Sequence, residues 1–167
     1  MMKYEDAPDL QERMAEIIVL LEMSHIDLNR VKCLRGFGSK SKRTIARCHT
    51  LGKLMQRAMG VQAWYAIEFL ERFDKMSKVE QDKVIIHELM HIPKAFGGGF
   101  RHHDFVCEAN VDVFHQKFEE AKVNGLGSGV DSEVEVEKLS DFTSEISRGK
   151  EDSEFKGLKE TKHWWQG

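Results

Sequence analysis

Between Ser77 and Pro93 the chain carries start and stop signals for a single helix, and the rest of any fold has to be arranged around it. Ser77-Lys78-Val79-Glu80 has the Ser-x-x-Glu pattern of a capping box, in which the serine hydroxyl accepts from the amide of Glu80 and the glutamate accepts from the amide of Ser77. Pro93 disfavours helix at the residue before it, so the predicted helix stops at Ile92. Val84, Ile85, Ile86 and Ile92 are apolar enough to bury much of its length.

This helix contains His87-Glu88-Leu89-Met90-His91. Positions i and i+4 of a helix share a face, so the two imidazoles stand one turn apart and can ligate one metal ion. Glu88 lies on the adjoining face, within reach of a water on that ion without being a ligand. This spacing is the H-E-x-x-H signature of Zn2+ sites. A surface helix can carry the pattern by chance, but here it sits on a capped helix with apolar flanks.

Catalytic zinc commonly takes three protein ligands and keeps one position open, so a third ligand is needed. Five of the eight histidines lie between positions 87 and 115. His103 and His102 follow Pro93 and the turn Gly97-Gly98-Gly99, which lets the chain reverse. A last helix is predicted over about 104–123, with Cys107, Val111, Phe114 and Phe118 on one face. His103 lies four residues before Cys107 and is the first candidate. His102, four before Val106, is the alternative, and Glu108 is a weaker one. His25, His49, His115 and His163 read as ordinary polar residues.

The chemistry expected of such a site is hydrolysis. Zinc lowers the pKa of bound water to about 7 and polarises a carbonyl. Glu88 would take the proton of the attacking water and pass it to the leaving amine. Tyr65, Lys94, Arg101 and His102 are candidate donors to the developing oxyanion.

The remaining pattern predicts an α+β domain over residues 1–123. A helix runs from Pro8 to about Met23, with Leu10, Met14, Ile17, Ile18 and Leu21 on its apolar face. Residues 26–36 and 43–49 read as two strands joined by a loop or hairpin, Leu51–Met59 as a short helix stopped by Gly60, and Gln62–Leu70 as a further strand. From about Asn124 the chain turns rich in Gly, Ser, Glu and Lys, and residues 124–167 read as a disordered acidic tail. Its His163-Trp164-Trp165 end could dock on the domain or a partner.

The three cysteines form no CxxC pair, the N-terminal residues do not read as a signal peptide, and the longest apolar run, Ile17–Leu21, is too short to cross a bilayer. A cytoplasmic protein without membrane contact is expected.

The stretch IIHELMHIPKAFGGGFRHHDFV resembles the motif region of SprT-like zinc metallopeptidases. It looks closest to a branch of archaeal and phage metallopeptidases in which HEL-x-HIP, a phenylalanine, a glycine turn and a histidine recur. Leu51-Gly52-Lys53, Met59-Gly60, Trp64-Tyr65-Ala66-Ile67-Glu68 and Phe73-Asp74-Lys75 are similar to that branch as well. The resemblance spans about 45–120, reaches 7–44 loosely, and leaves out the tail. It implies a small zincin-like domain: N-terminal helix, small sheet, motif helix and a second ligand-bearing helix. It further implies His87 and His91 as zinc ligands and Glu88 as the catalytic acid, acting on a protein or peptide substrate. In SprT-like chains the third ligand stands before a glycine, with an aromatic four residues on. His102-His103-Asp104-Phe105 has neither in register, so both histidines stay open.

SprT-type relatives cleave proteins crosslinked to DNA, and one stretch of this chain bears on that. From Leu28 to Ile67 there are nine cations and no Asp or Glu: Arg30, Lys32, Arg35, Lys40, Lys42, Arg43, Arg47, Lys53 and Arg57. On one face they would attract phosphate; on scattered faces they only solvate the surface. The net charge of -3 indicates no partner by itself. The alternative to a peptidase is therefore a zinc-containing nucleic-acid-binding module without activity. A different zinc hydrolase, such as an amidase, would share the metal chemistry.

Overall fold

The computed structural model describes residues 1–127. It is an α+β domain of four helices and a four-stranded sheet. In chain order these are β1 (Lys3–Asp6), α1 (Pro8–Leu20), β2 (Val31–Phe37), β3 (Ala46–Thr50), α2 (Lys53–Met59), β4 (Tyr65–Leu70), α3 (Lys78–Met90) and α4 (Glu108–Gly127). Residues 128–167 lie outside this description, and with them most of the predicted tail and its Trp164-Trp165 end. Residues 124–127 continue α4.

The sheet order is β1-β2-β4-β3. β2 and β4 run parallel, with Cys33 opposite Ile67, and β3 pairs antiparallel with β4, with Cys48 opposite the same Ile67. Of the two connections expected between these strands, a loop or a hairpin, the structure has the loop, because β4 inserts between β2 and β3. Tyr65, Ile67 and Phe69 of β4 are each almost wholly buried, which suits a central strand, while β3 is left as an edge. β1, with the sequence KYED and every residue exposed, covers the opposite edge. Its charges are typical of an edge strand, and it has no apolar alternation by which to announce itself.

Val31, Cys33, Ile67 and Phe69 form one face of the sheet, and the buried faces of α1, α3 and α4 contribute Met14, Ile17, Ile85, Leu89 and Phe118 to the same core. Arg13 of α1 makes a forked bond to Asp82 of α3, at 2.8 and 2.5 Å, and its guanidinium lies 4.9 Å from the centroid of the Phe118 ring of α4. One side chain thus touches all three helices.

Several ends differ from expectation. α1 stops at Leu20 rather than near Met23, because Glu22 turns left-handed (φ 51°) and the amide of Met23 reaches back to the carbonyl of Ile18 at 2.9 Å. Burial of Met23 holds this stop without the usual glycine. β2 starts at Val31 rather than 26, since the Asp27 carboxylate accepts from the amide of Asn29 and turns the chain. α4 starts at Glu108 rather than 104. The carbonyl of His102 accepts from the amides of Phe105 and Val106, and Asn110 donates to the carbonyl of Phe105, so 102–106 form a turn. α2 and α3 match expectation: Gly60 takes the left-handed conformation after α2, and both halves of the Ser77/Glu80 box are formed. Among the described residues no helix is long and apolar enough to cross a membrane.

Candidate metal centre

α3 carries His87 and Glu88 into the core side of a cleft of about 810 Å³. Both are buried, and His91 at the helix end is half-buried. One wall of the cleft is the edge strand with its preceding residues, Arg43 to His49; the other is the chain from Phe100 to His103.

The chain from His91 to Arg101 closes on itself. The amide of Arg101 donates to the carbonyl of His91 at 2.8 Å, and His91 Nδ1 lies 2.9 Å from the carbonyl of Arg101. A carbonyl only accepts, so Nδ1 of His91 carries a proton and donates. Burial holds the His91 pKa below its usual value, so the ring is neutral near pH 7 and the lone pair falls on Nε2. That nitrogen is 3.3 Å from Nε2 of His87. Burial, then the neighbouring His91 and His103, push the His87 pKa down to about 3.

His103 completes the group. Its ring centroid lies 4.9 Å from that of His91 and 5.8 Å from that of His87. One ring nitrogen from each of the three histidines lies within 4.8 Å of the others. Imidazole lone pairs that converge in this way repel one another unless a cation or proton stands between them. The donor set, all imidazole, suits zinc and related borderline-soft ions. His102 lines the same cleft but is not brought into this group; its carbonyl is spent on the turn that follows. His103 reaches the group from that turn, not from the first turn of α4 as its spacing from Cys107 suggests.

Glu88 sits beside the histidines, and its carboxylate accepts from the backbone N–H of Cys48 on β3. Burial raises its pKa to about 8, with the Cys48 bond acting the other way. Cys48 itself lies against Glu88, and burial pushes its thiol well above the usual range.

The candidate oxyanion donors separate. Tyr65 is buried with its hydroxyl committed: it accepts from the amide of Gly98 at 3.0 Å and donates to the carbonyl of Gly99 at 2.9 Å. Neither Tyr65 nor Lys94 lines the cleft, whereas Arg101 and His102 do. Arg101 stacks on the Phe105 ring, 3.3 Å from its centroid.

The cationic stretch also divides. Arg30 pairs with Asp27, Lys32 with Asp6, and Arg35 with Asp9 and Asp74. Arg43 and Arg47 lie along the cleft, although Arg47 approaches Glu68 at 3.7 Å. The nine cations therefore do not act as one free patch.

A second group, Asp82, His115 and Glu119, also has its ligand atoms within 4.8 Å of one another. Its carboxylates already have cations, Arg13 of α1 on Asp82 and Lys122 of α4 on Glu119, so it reads as two ion pairs brought side by side by helix packing.

Sequence reasoning did not find the carbonyl of Arg101, the amide of Cys48 or the bracing hydroxyl of Tyr65. The first two are backbone groups present at every residue, and only the fold selects them.

No curated protein and no solved structure matches this chain. Residues 2–137 match the family described as "Putative phage metallopeptidase", a span that takes in the whole sheet, the motif helix and the His103 turn, and the chain belongs to that metallopeptidase family.

Proposed function

We propose that this protein is a zinc-dependent peptidase of SprT-like type, with His87, His91 and His103 holding the ion and Glu88 as general base and acid. The observation carrying this reading is the convergence of three imidazoles beside a buried carboxylate at the floor of an open cleft. When bound in such a site, zinc supplies a nucleophilic water near neutral pH and polarises a carbonyl.

The chain's own residues do the rest. Glu88 accepts the proton of the attacking water and delivers it to the leaving amine. A raised pKa suits that exchange near neutral pH, and a cation among the neighbouring imidazoles lowers it again towards the ionised form. The Cys48 amide fixes the carboxylate's direction. The free edge of β3 lets an extended peptide add as a further strand, placing its backbone across the site. Arg101 and His102 stand on the opposite wall as the candidate donors to the oxyanion.

The experiment is peptide hydrolysis by the purified protein with and without a chelator, beside Glu88→Gln. Activity that is lost with chelator, restored by zinc, and reduced roughly 10²–10⁴-fold in the variant agrees with this account. Undiminished activity in Glu88→Gln removes Glu88 from the chemistry.

For substrates, the proposal is protein associated with nucleic acid. Arg43, on the cleft wall, carries no ion pair among the described residues, nor do Lys40 and Lys42 in the loop before it. A phosphate backbone bound there would bring its protein cargo to β3. Binding to a DNA duplex should weaken steeply with salt, and Lys40→Glu with Arg43→Glu should flatten that dependence. Salt-independent binding, or none, would leave a peptidase without this targeting.

A further inference from the structure

We infer that Tyr65 is a positioning residue for the metal centre: its hydroxyl pins the glycine turn that carries His103 to His87 and His91. The inference rests on the zinc reading above and extends it to a residue that touches neither metal ligand nor cleft.

The reciprocal bonds between His91 and Arg101 close the base of the 91–101 loop but leave its far end to be held by something else. At that far end Tyr65, the first residue of β4, makes two bonds with one hydroxyl. It accepts from Gly98 N–H and donates to Gly99 C=O. Tyr65 is 1% exposed, and its ring packs 4.9 Å from that of Phe96 and 6.3 Å from that of Phe100, so the hydroxyl has little freedom to move. Gly98 fits its seat for two reasons. It adopts φ +89°, and a Cβ there would stand 2.8 Å from the carbonyl of Leu51 and closer still to the Gln56 side chain. Gln56 donates to both Leu51 C=O and Gly97 C=O, adding a second tie to the same turn. His103 follows four residues after Gly99 and is exposed, so its approach to the His87 and His91 rings depends on where the turn places it.

Without these ties the loop must be ordered at the moment of metal binding, at the expense of affinity. Partners behind the ligands of a metal site commonly change affinity about 10–100-fold. Phenylalanine keeps the ring contacts and removes both hydrogen bonds, which isolates the pin from the packing.

The test is zinc affinity of the full chain, by competition with a chromogenic chelator. Wild type, Tyr65→Phe and Gly98→Ala are each measured with and without His103→Ala, together with thermal melting of the metal-free proteins. Tyr65→Phe should weaken zinc about tenfold or more while metal-free melting stays close to wild type. In the His103→Ala background the same change should cost nothing further, because the pin acts through that ligand. Unchanged affinity in Tyr65→Phe overturns the inference, and so does an equal loss when His103 is already absent. If Tyr65→Phe fails to fold, Gly98→Ala decides through the same cycle, as it disturbs the turn from the other side. A wild type that takes up no zinc overturns the metal reading itself, a result seen before any variant is measured.

Discussion

His103 and His102 are neighbours in the chain and both border the cleft, yet only one shares a point with His87 and His91. Their difference is therefore a sharp prediction. His103→Ala should reduce zinc affinity by 10²-fold or more, of the order expected for loss of one of three ligands, while His102→Ala should change it by less than about threefold. Chelator competition on the two variants checks both numbers. Glu88→Gln should leave zinc bound while activity falls, because its carboxylate faces the Cys48 amide and the reacting groups, and it is not needed to hold the ion. At this scale the sequence was informative wherever function depends on spacing along one helix. His87, Glu88 and His91 follow from a period of 3.6 residues. Which of His102 and His103 comes near them does not, because it depends on the hydrogen bonds of a turn. The carbonyl of His102 takes the amides of Phe105 and Val106, and that bend throws the next side chain inward.

Elements were legible in proportion to how locally their ends are determined. Pro8, Gly60, Ser77 and Pro93 each act through their own backbone or a near neighbour, and the boundaries of α2 and α3 sit within two or three residues of where those signals put them. The stop of α1 at Glu22 depends on burying Met23, and the position of β4 between β2 and β3 depends on which strand is buried on both faces. Neither is a local property. The cap of α3 gives a direct check, since that helix and its end present His87, Glu88 and His91, the proposed ligands and proposed catalytic carboxylate. Ser77→Ala should lower stability by about 1 kcal/mol in a denaturant titration, with little change in zinc affinity of the folded protein. A large loss of zinc affinity would mean that the helix start and the metal end are coupled, contrary to this account.

At the scale of the molecule, the helices that back the histidine cluster are tied by charge as well as by packing. Arg13 joins Asp82 of α3 and stacks on Phe118 of α4, so Arg13→Ala should cost about 2 kcal/mol of stability, read from the shift in denaturant midpoint. Acid should loosen a different tie. Hydrogen bonds from Arg35 lower the Asp9 pKa from 3.8 to about 2, so the folded value lies below the unfolded one. The stabilisation is present above 3.8 and is lost as pH falls towards 2. The pair is partly solvated and the effect is small, but Arg35→Gln should flatten the stability profile across that window. All of these ties serve one arrangement, in which three imidazoles share a point at the cleft floor. Crystals grown with zinc and measured at the zinc absorption edge test it most directly. The account predicts one strong anomalous peak bonded to ring nitrogens of His87, His91 and His103, with Glu88 beside it and not bonded to it. A peak held by His102 instead, or no peak between the α3 histidines, would contradict it.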